Sequence, residues 1–368
     1  MKDFNYWSKL DQSDKLGEFS SDTIGLLWLK TKSIVRKELI AEFVNENNIH
    51  LTETGLSKQF IELFNLFCKN PKGSHVLLDK YIKEKNKKQI AVLDTEQLVS
   101  ELYRLKNFEW GGDYKNSLDK YLISKYVKVI KSYETLISKF EAEINFAVQG
   151  YVLNSWYNHW TSILIEHLFK SHPSVLPTVG QIRNVDFFIN DIPFDLKVTY
   201  LPVEYIKNKR KEKGLPVEFT YLKKKAIEAG ISFNKKANES DISYEIIEKM
   251  KERNDAFCNS VLKGIKNEKL LILEEAKENP QILAKWLYEN QGEMRFGSEN
   301  RLFLVIVDTT DFNNSWKLKR NLALLSPVIK TYLDSFHSKK SKDLKLSFKY
   351  KGKPQEFTAF SDIIFAIK

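Results

Sequence analysis

Residues 184–199 read NVDFFINDIPFDLKVT, a sequence that is typical of a β-hairpin. Aromatic and β-branched residues favour strands on both sides of Asn190-Asp191, and that dipeptide suits a two-residue turn. Pro193 favours an edge position where the second strand begins. We therefore predict two antiparallel strands that are joined at Asn190-Asp191.

The position of this turn determines which side chains of the hairpin share a face. With Asn190-Asp191 as the turn, Asp186 is expected opposite Asp195, and Lys197 on the same face because side chains alternate along a strand. Like charges that face each other destabilise a hairpin, so the two acids are expected to have a purpose, such as binding a divalent cation. A shift of the turn by one residue would put the acids on opposite faces.

The composition predicts a cytoplasmic globular protein in a reducing compartment. The 368 residues suffice for a large core and two domains, and 42% of them are hydrophobic. The longest apolar run, residues 302–307, is far shorter than a membrane span, and the first residues lack the apolar region of a signal peptide. Cys68 and Cys258 have no Cys or His at metal-ligand spacing, which disfavours a thiolate metal site and a disulfide framework.

Residues 1–150 are predicted to form a helical domain, because apolar residues recur there at spacings of three and four. Asp94, followed by Gln97, is typical of a helix N-terminus of the capping-box type. A long helix is expected from about Ser117 to Val148, with Gly150 closing it. The role of this domain stays open between target recognition, dimer formation and support.

Residues 151–368 are predicted to form an α/β domain in which helices flank a mixed β-sheet. Residues 301–308 are expected as a strand that is buried on both faces and therefore central in the sheet. A basic helical insertion is expected at about residues 203–297. The other expected elements are helices at about 153–170, 240–263, 281–290 and 316–336, and strands at about 345–350 and 363–367.

Four residues form the candidate chemical site, namely Glu166 on a helix, Asp186 on the first hairpin strand, and Asp195 and Lys197 on the second. Carboxylate oxygens suit magnesium, which would lower the pKa of a bound water and neutralise charge during phosphodiester hydrolysis. Lys197 would orient or help to deprotonate that water, or stabilise the negative charge that develops at phosphorus. Glu141 and Glu143 are alternatives to Glu166 as the distal acid.

The spacing of Asp186, Asp195 and Lys197, with strand-like flanks and a helical Glu166 upstream, resembles the PD-(D/E)xK nuclease superfamily, especially its restriction endonuclease branch. The resemblance covers residues 153–200 well and 301–309 loosely, and Val185 stands where the family motif has a proline. It implies that Asp186, Asp195 and Glu166 bind Mg²⁺, for which Mn²⁺ can substitute, and that Lys197 completes the catalytic set.

The resemblance also implies a type II restriction endonuclease that hydrolyses phosphodiester bonds in double-stranded DNA, with a mixed sheet flanked by helices. A homodimer is expected because cleavage of both strands of a palindrome needs two sites. A cognate DNA methyltransferase acting on the same site is the expected companion. The alternatives are a less sequence-specific phage-defence or repair nuclease of the same fold, and a non-catalytic basic DNA-binding protein with incidental acids.

The charge of the chain favours a polyanionic partner such as DNA. The formal net charge is +10, and residues 207–236 contain ten basic residues against three acidic ones. Residues 207–213 could instead form a solvated loop that binds nothing. The expected DNA contacts are Lys207, Lys209, Arg210, Lys211, Arg295 and Arg301.

Overall fold

The structure, a computed structural model, describes residues 2–13, 15–107, 117–290, 299–350 and 353–368, with the side chain of Gln181 left aside. Within these ranges the chain has a mixed α/β fold, as predicted. None of the described helices is both long and apolar enough to cross a membrane.

The described ranges contain six strands, β1 (Val175–Ile182), β2 (Val185–Ile189), β3 (Ile192–Tyr200), β4 (Arg301–Val307), β5 (Lys345–Lys349) and β6 (Glu356–Ile367). They follow the order β1-β2-β3-β4-β6-β5 in a mixed sheet. Strand β4 runs parallel to both β3 and β6, whereas β5 is antiparallel to β6. The predicted central strand is confirmed, since β4 lies between two neighbours and all seven of its residues are buried.

Helices account for most of the remaining described residues. The helices before the first strand are α1 (Phe4–Gln12), α2 (Gly17–Ser20), α3 (Thr23–Ser33), α4 (Lys37–Glu46), α5 (Leu56–Phe67), α6 (Pro71–Ala91), α7 (Thr95–Leu102), α8 (Leu118–Leu122), α9 (Tyr133–Lys139) and α10 (Asn145–Lys170). The later helices are α11 (Val203–Glu212), α12 (Glu218–Glu228), α13 (Glu239–Arg253), α14 (Ala256–Glu278), α15 (Pro280–Asn290), α16 (Leu322–Ser335) and α17 (Ser341–Leu344). Short 3₁₀ segments lie at Phe312–Arg320 and Phe336–Ser338, and π-helical turns at Ile123–Val127 and Phe140–Ile144.

The single helix that was predicted from Ser117 to Val148 is wrong in its continuity. The chain leaves the helical conformation after Val127, and α9 starts afresh where the hydroxyl of Ser132 accepts a hydrogen bond from the Thr135 amide. Gly150 does not end a helix, because it is buried inside α10. The capping prediction for Asp94 is confirmed, since its carboxylate accepts the Gln97 amide hydrogen bond at 2.9 Å at the start of α7.

In the basic region one alternative is excluded and one prediction is wrong. Residues 207–213, for which a solvated loop was the alternative, lie mostly in α11, within the predicted helical insertion. The helix predicted at 240–263 is two helices, because Asn254 adopts a left-handed conformation with φ of 50° that ends α13. Asp255 then caps α14 by accepting a hydrogen bond from the Cys258 amide at 2.7 Å.

The chain divides into two compact units. Unit 1 comprises Met1–Gly25, Ile192–Trp316 and Ser338–Lys368, and unit 2 comprises Leu26–Asp191 and Lys317–His337. The predicted boundary at residue 150 therefore lies inside unit 2 and inside α10.

Unit 2 is mainly helical and contains the β1–β2 hairpin. Strand β1 lies directly against the end of α3, where the Val179 amide donates a hydrogen bond to the Ser33 hydroxyl at 3.2 Å. A Cβ atom at Gly180 would lie 2.3 Å from the Ser33 carbonyl oxygen, so a residue without a side chain is required here. Strand β2 is anchored by Phe187, whose ring stacks on Phe169 of α10 with centroids 5.1 Å apart.

Unit 1 contains β3, β4, β5 and β6 with helices packed on one sheet face. Phe303, Val305 and Ile363 point into a core that includes Leu287 and Tyr288 of α15. A second core joins α12, α13 and α14 through residues such as Leu222, Ile246 and Val261. The helices between β3 and β4 thus have a core of their own and also cover the sheet face on which Asp195 and Lys197 stand.

Candidate functional site

The predicted hairpin turn is confirmed. Asn190 and Asp191 both have positive φ angles, 48° and 61°, which is the backbone signature of a type I′ turn. The carboxylate of Asp191 also binds the buried Lys30 ammonium at 3.1 Å, so Asp191 has a structural role.

Asp195 and Lys197 form a direct ion pair on β3. The Lys197 ammonium donates a hydrogen bond to Asp195 Oδ1 at 2.7 Å. The aspartate is only 6% exposed, whereas 40% of the lysine side chain is exposed. The expectation that alternation along the strand brings these two side chains together is therefore confirmed, and the lysine lies on the solvent side of the pair.

Arg301 is the second partner of Asp195. It stands opposite Asp195 in the register of β3 and β4, and its Nε lies 3.5 Å from Asp195 Oδ2. Its Nη2 also donates a hydrogen bond to Glu299 Oε2 at 3.2 Å. Because Arg301 is 2% exposed, no phosphate can reach it in this structure, and its expected role as a DNA contact is corrected to that of a buried ion-pair partner.

The aromatic ring of Tyr288, on α15, packs against the guanidinium of Arg301. The Arg301 Cζ atom lies 5.1 Å from the centroid of the Tyr288 ring, a cation–π arrangement. Burial raises the pKa of Tyr288 above its ordinary value, so the phenol stays neutral and donates a hydrogen bond to the Glu299 carbonyl oxygen at 2.8 Å. We refer to Asp195, Lys197, Tyr288, Glu299 and Arg301 as the Asp195 cluster.

Sequence reasoning missed Glu299 and Tyr288 as members of the Asp195 cluster. Glu299 is 1% exposed, and it precedes Arg301 by two residues just before β4. An acid and an arginine at that spacing beside a wholly apolar strand are a detectable signal, because buried charges are rarely left unpaired. Tyr288 had no such signal, since its contact depends on how α15 packs on the sheet.

Asp186 and Glu166 belong to unit 2, and each has its own local partners. Asp186 is partly buried on β2, and its carbonyl oxygen accepts a hydrogen bond from the Thr178 hydroxyl at 2.8 Å. Glu166 on α10 pairs with Lys170 one turn later at 3.0 Å. Within the described ranges, no group of three or more His, Cys, Asp or Glu side chains is placed to hold a metal ion.

The two alternatives to Glu166 lie near the surface of unit 2. Glu141 is exposed. Glu143 bonds Lys139 at 2.5 Å and accepts a hydrogen bond from the Tyr126 hydroxyl at 3.1 Å, and the bond with Lys139 is the main cause that lowers its pKa. Glu143 is thus bound in a local ion-pair network of its own.

The basic residues that follow the hairpin are more strongly paired than the sequence indicated. On α11, Lys207 pairs with Glu204 at 3.3 Å and Lys209 with Glu212 at 2.8 Å. Arg210 is buried against Glu268, and its Nε donates to the Pro216 carbonyl oxygen at 3.0 Å, which corrects its expected role as a DNA contact.

Lys211 is a surface cation. It is exposed, and it forms no ion pair within the part of the chain that the structure describes. Arg295, the remaining expected DNA contact, lies outside the described residues.

Comparison of the chain with protein-family models, with curated proteins and with solved structures found no match. The fold and the Asp195 cluster are the observations from which a function can be inferred.

Proposed function

We propose that this chain is a magnesium-dependent DNA endonuclease of the type II restriction class, with the restriction endonuclease-like form of the α/β fold. The observation that carries the proposal is the Asp195–Lys197 ion pair at 2.7 Å on β3, the strand that follows the Asn190-Asp191 turn. A carboxylate and an amine two residues apart on one strand face are the arrangement that the PD-(D/E)xK resemblance requires.

Carboxylates of the hairpin are the proposed ligands of a magnesium ion. Mg²⁺ prefers oxygen ligands, keeps several waters, and needs only one or two protein carboxylates besides substrate phosphate oxygens. Asp195 offers Oδ1, which an ammonium group already binds, and Asp186 is the proposed second ligand, with Glu166 as the third. When bound, the ion lowers the pKa of a coordinated water and neutralises charge on the scissile phosphate.

Lys197 supplies the chemistry that the carboxylates cannot. Its partly exposed ammonium can donate hydrogen bonds to a water or to a phosphate oxygen, whereas the buried guanidinium of Arg301 cannot. It orients and helps to deprotonate the attacking water, or it stabilises the negative charge that develops at phosphorus. In either role, removal of the ammonium slows the chemical step more than it weakens DNA binding.

Double-stranded DNA is the proposed substrate, held in part by the basic residues of α11. Lys211 is the best-placed contact among them, since Lys207 and Lys209 each share their charge with a glutamate. Arg295 stays a proposed contact, whereas Arg210 and Arg301 are excluded by their burial. A homodimer, with one site for each strand, and a cognate methyltransferase complete the proposal.

Digestion of supercoiled plasmids tests this proposal. Purified protein is incubated with plasmids of known sequence in Mg²⁺, in Mn²⁺, and in EDTA as the control. Discrete fragments in Mg²⁺ that disappear in EDTA are the expected result. Absence of any cleavage in both metals would contradict the proposal and favour a basic DNA-binding protein that is not an enzyme.

The same digest separates restriction from the less specific alternative. A smear or nicked circles in place of discrete fragments would identify a phage-defence or repair nuclease of the same fold. The pairing of most α11 cations with glutamates leaves few unneutralised groups on this helix for phosphate binding.

A further inference from the structure

The two carboxylate oxygens of Asp195 have partners of different kinds. Oδ1 accepts a hydrogen bond from Lys197, whose long side chain is 40% exposed. Oδ2 faces Arg301, whose side chain is almost entirely buried. One oxygen is thus held by a group that can move away, and the other by a group that the protein interior fixes.

The orientation of Arg301 is set from three directions. Its backbone is paired with β3 at Asp195 and with β6 at Ser361. Its Nη2 bonds Glu299, and the face of its guanidinium covers the Tyr288 ring. A guanidinium is planar and stays charged at every relevant pH, so these contacts fix both the position and the direction of the charge.

Glu299 is the member of the cluster that ion pairing alone does not explain. Asp195 and Arg301 would already form a neutral buried pair, and a further buried carboxylate costs desolvation free energy. With Glu299 present, the three buried side chains carry an excess negative charge, which the ammonium of Lys197 balances. The arrangement therefore keeps a cation at Oδ1 of Asp195.

We infer that Arg301, held by Glu299, is a positioning residue that fixes the carboxylate of Asp195 with Oδ1 presented to an exchangeable cation. This inference rests on the proposed function, in which Asp195 acts at the scissile phosphate. Neither Arg301 nor Glu299 touches the substrate. Both act through Asp195, and their loss misplaces its Oδ1 rather than removing a binding contact.

Conservative variants test this inference, because truncation of a buried ion pair can prevent folding. Arg301→Lys keeps the charge but loses the planar fork, and Glu299→Gln keeps the shape but loses the charge. Arg320→Lys is the matched control, since Arg320 is also buried, stacks on a tyrosine ring at 4.5 Å, and bonds carbonyl oxygens rather than an acid of the site.

Plasmid cleavage is measured as kcat and KM for each variant. We expect Arg301→Lys to lower kcat on the order of 10-fold or more with KM changed less than about twofold, since small displacements of catalytic groups slow chemistry strongly. Glu299→Gln should also lower kcat, but by a smaller factor. Arg320→Lys should leave kcat and KM within about twofold of the wild-type values. A folded Arg301→Lys variant with wild-type kcat, or with a loss confined to KM, would overturn the inference.

A second measurement separates failure of the inference from failure of the proposed function. If the wild-type protein cleaves no DNA in either metal, the proposed function is wrong. The coupling of Arg301 to Asp195 is then measured from the midpoint temperatures of thermal unfolding. Arg301→Lys, Asp195→Asn and the double variant should then give clearly non-additive shifts, because the two side chains hold each other. Additive shifts would overturn the positioning role.

Discussion

Among its described residues, unit 1 contains three buried aspartates that each pair with a lysine, namely Asp195, Asp308 and Asp362. Asp195 and Asp362 differ in what holds the second carboxylate oxygen. The Asp195–Lys197 distance is 2.7 Å and the Asp362–Lys339 distance is 2.6 Å. Asp362 satisfies its other oxygen locally, by accepting the amide hydrogen bond of Ile363 at 2.9 Å. Asp195 instead reaches Arg301 and, through it, Glu299.

The two aspartates also stand on opposite faces of the sheet. Asp195 is in register with Arg301, which is in register with Ser361, the residue before Asp362. Because side chains alternate along a strand, Asp362 points to the other side. A buried Asp–Lys pair is therefore not by itself a candidate site, and the surrounding acids and bases distinguish Asp195.

Lys197 and Lys339 should differ most clearly in their effect on the rate of the chemical step. We expect Lys197→Met to lower the plasmid-cleavage rate by about 10²–10³-fold, because it removes the group that aids proton transfer or charge stabilisation. Lys339→Met removes an equivalent ion pair from the other aspartate and should leave the rate within about twofold. Cleavage rates in Mg²⁺ at saturating DNA measure both. Equal losses of cleavage rate in the two variants would contradict the proposed difference between the Asp195–Lys197 and Asp362–Lys339 pairs.

The distal acid should have a smaller effect than Lys197. Glu166 and Glu143 are each bonded to a lysine four residues away, and Glu143 also accepts a hydrogen bond from Tyr126. We expect Glu166→Gln to lower cleavage about 10-fold and to raise the Mg²⁺ concentration needed for half-maximal rate, with Glu143→Gln unchanged. A loss of cleavage in Glu143→Gln, with Glu166→Gln unchanged, would identify Glu143 as the distal acid.

Two buried lysines of unit 2 differ in the groups that bind them. Lys30 binds Asp79 and Asp191, whereas Lys319 donates a hydrogen bond to the neutral amide oxygen of Asn158 at 3.0 Å. Burial lowers the pKa of Lys319 from 10.5 to about 8. The unfolded chain therefore binds this proton more tightly, so Lys319 opposes folding below about pH 8 and ceases to oppose it as the pH rises towards 10.5.

Replacement of Lys319 by Met should consequently stabilise the protein at neutral pH. We expect a gain of up to about 3 kcal/mol in the free energy of unfolding at pH 7, which shrinks towards pH 10. Lys30→Met, the control, should lower stability at pH 7 because it leaves two carboxylates without their partner. Urea unfolding at both pH values measures this, and a gain from Lys319→Met that grows with pH would contradict the account.

The smallest expected effect concerns DNA binding by α11. Lys211→Ala should reduce the slope of log affinity against log salt concentration by about 1, as expected for one lost phosphate contact. Lys209→Ala should change the slope less, because Glu212 at 2.8 Å already shares its charge. Fluorescence anisotropy of a labelled duplex at several salt concentrations measures both slopes. If the slope is the same in both variants, ion pairing on α11 does not govern phosphate binding.

The features that the sequence predicted well depend on neighbouring residues. The turn at Asn190-Asp191 follows from local backbone chemistry, and the Asp195–Lys197 contact follows from strand alternation. Strand β4 was recognisable because residues 302–307 are all apolar.

The features that the sequence did not predict depend on distant residues. Arg210 is neutralised by Glu268, which is 58 residues away, and Arg301 is covered by Tyr288 from another helix. The long helix at Ser117–Val148 was wrong because its apolar spacing continues across the break before α9, where the cap at Ser132 decides the structure. The spacing of apolar residues indicates which face of a helix is buried, but it does not indicate where the backbone hydrogen bonds of the helix end.

The most direct test of the central claim is the rate of plasmid cleavage in Mg²⁺ by Asp195→Asn and Asp362→Asn, measured side by side. Both variants remove a buried negative charge beside a lysine in unit 1, so similar losses of thermal stability are expected. We predict that Asp195→Asn abolishes cleavage while duplex binding persists, and that Asp362→Asn cleaves at close to the wild-type rate. Wild-type cleavage by a folded Asp195→Asn variant would contradict the assignment of Asp195 to the active site.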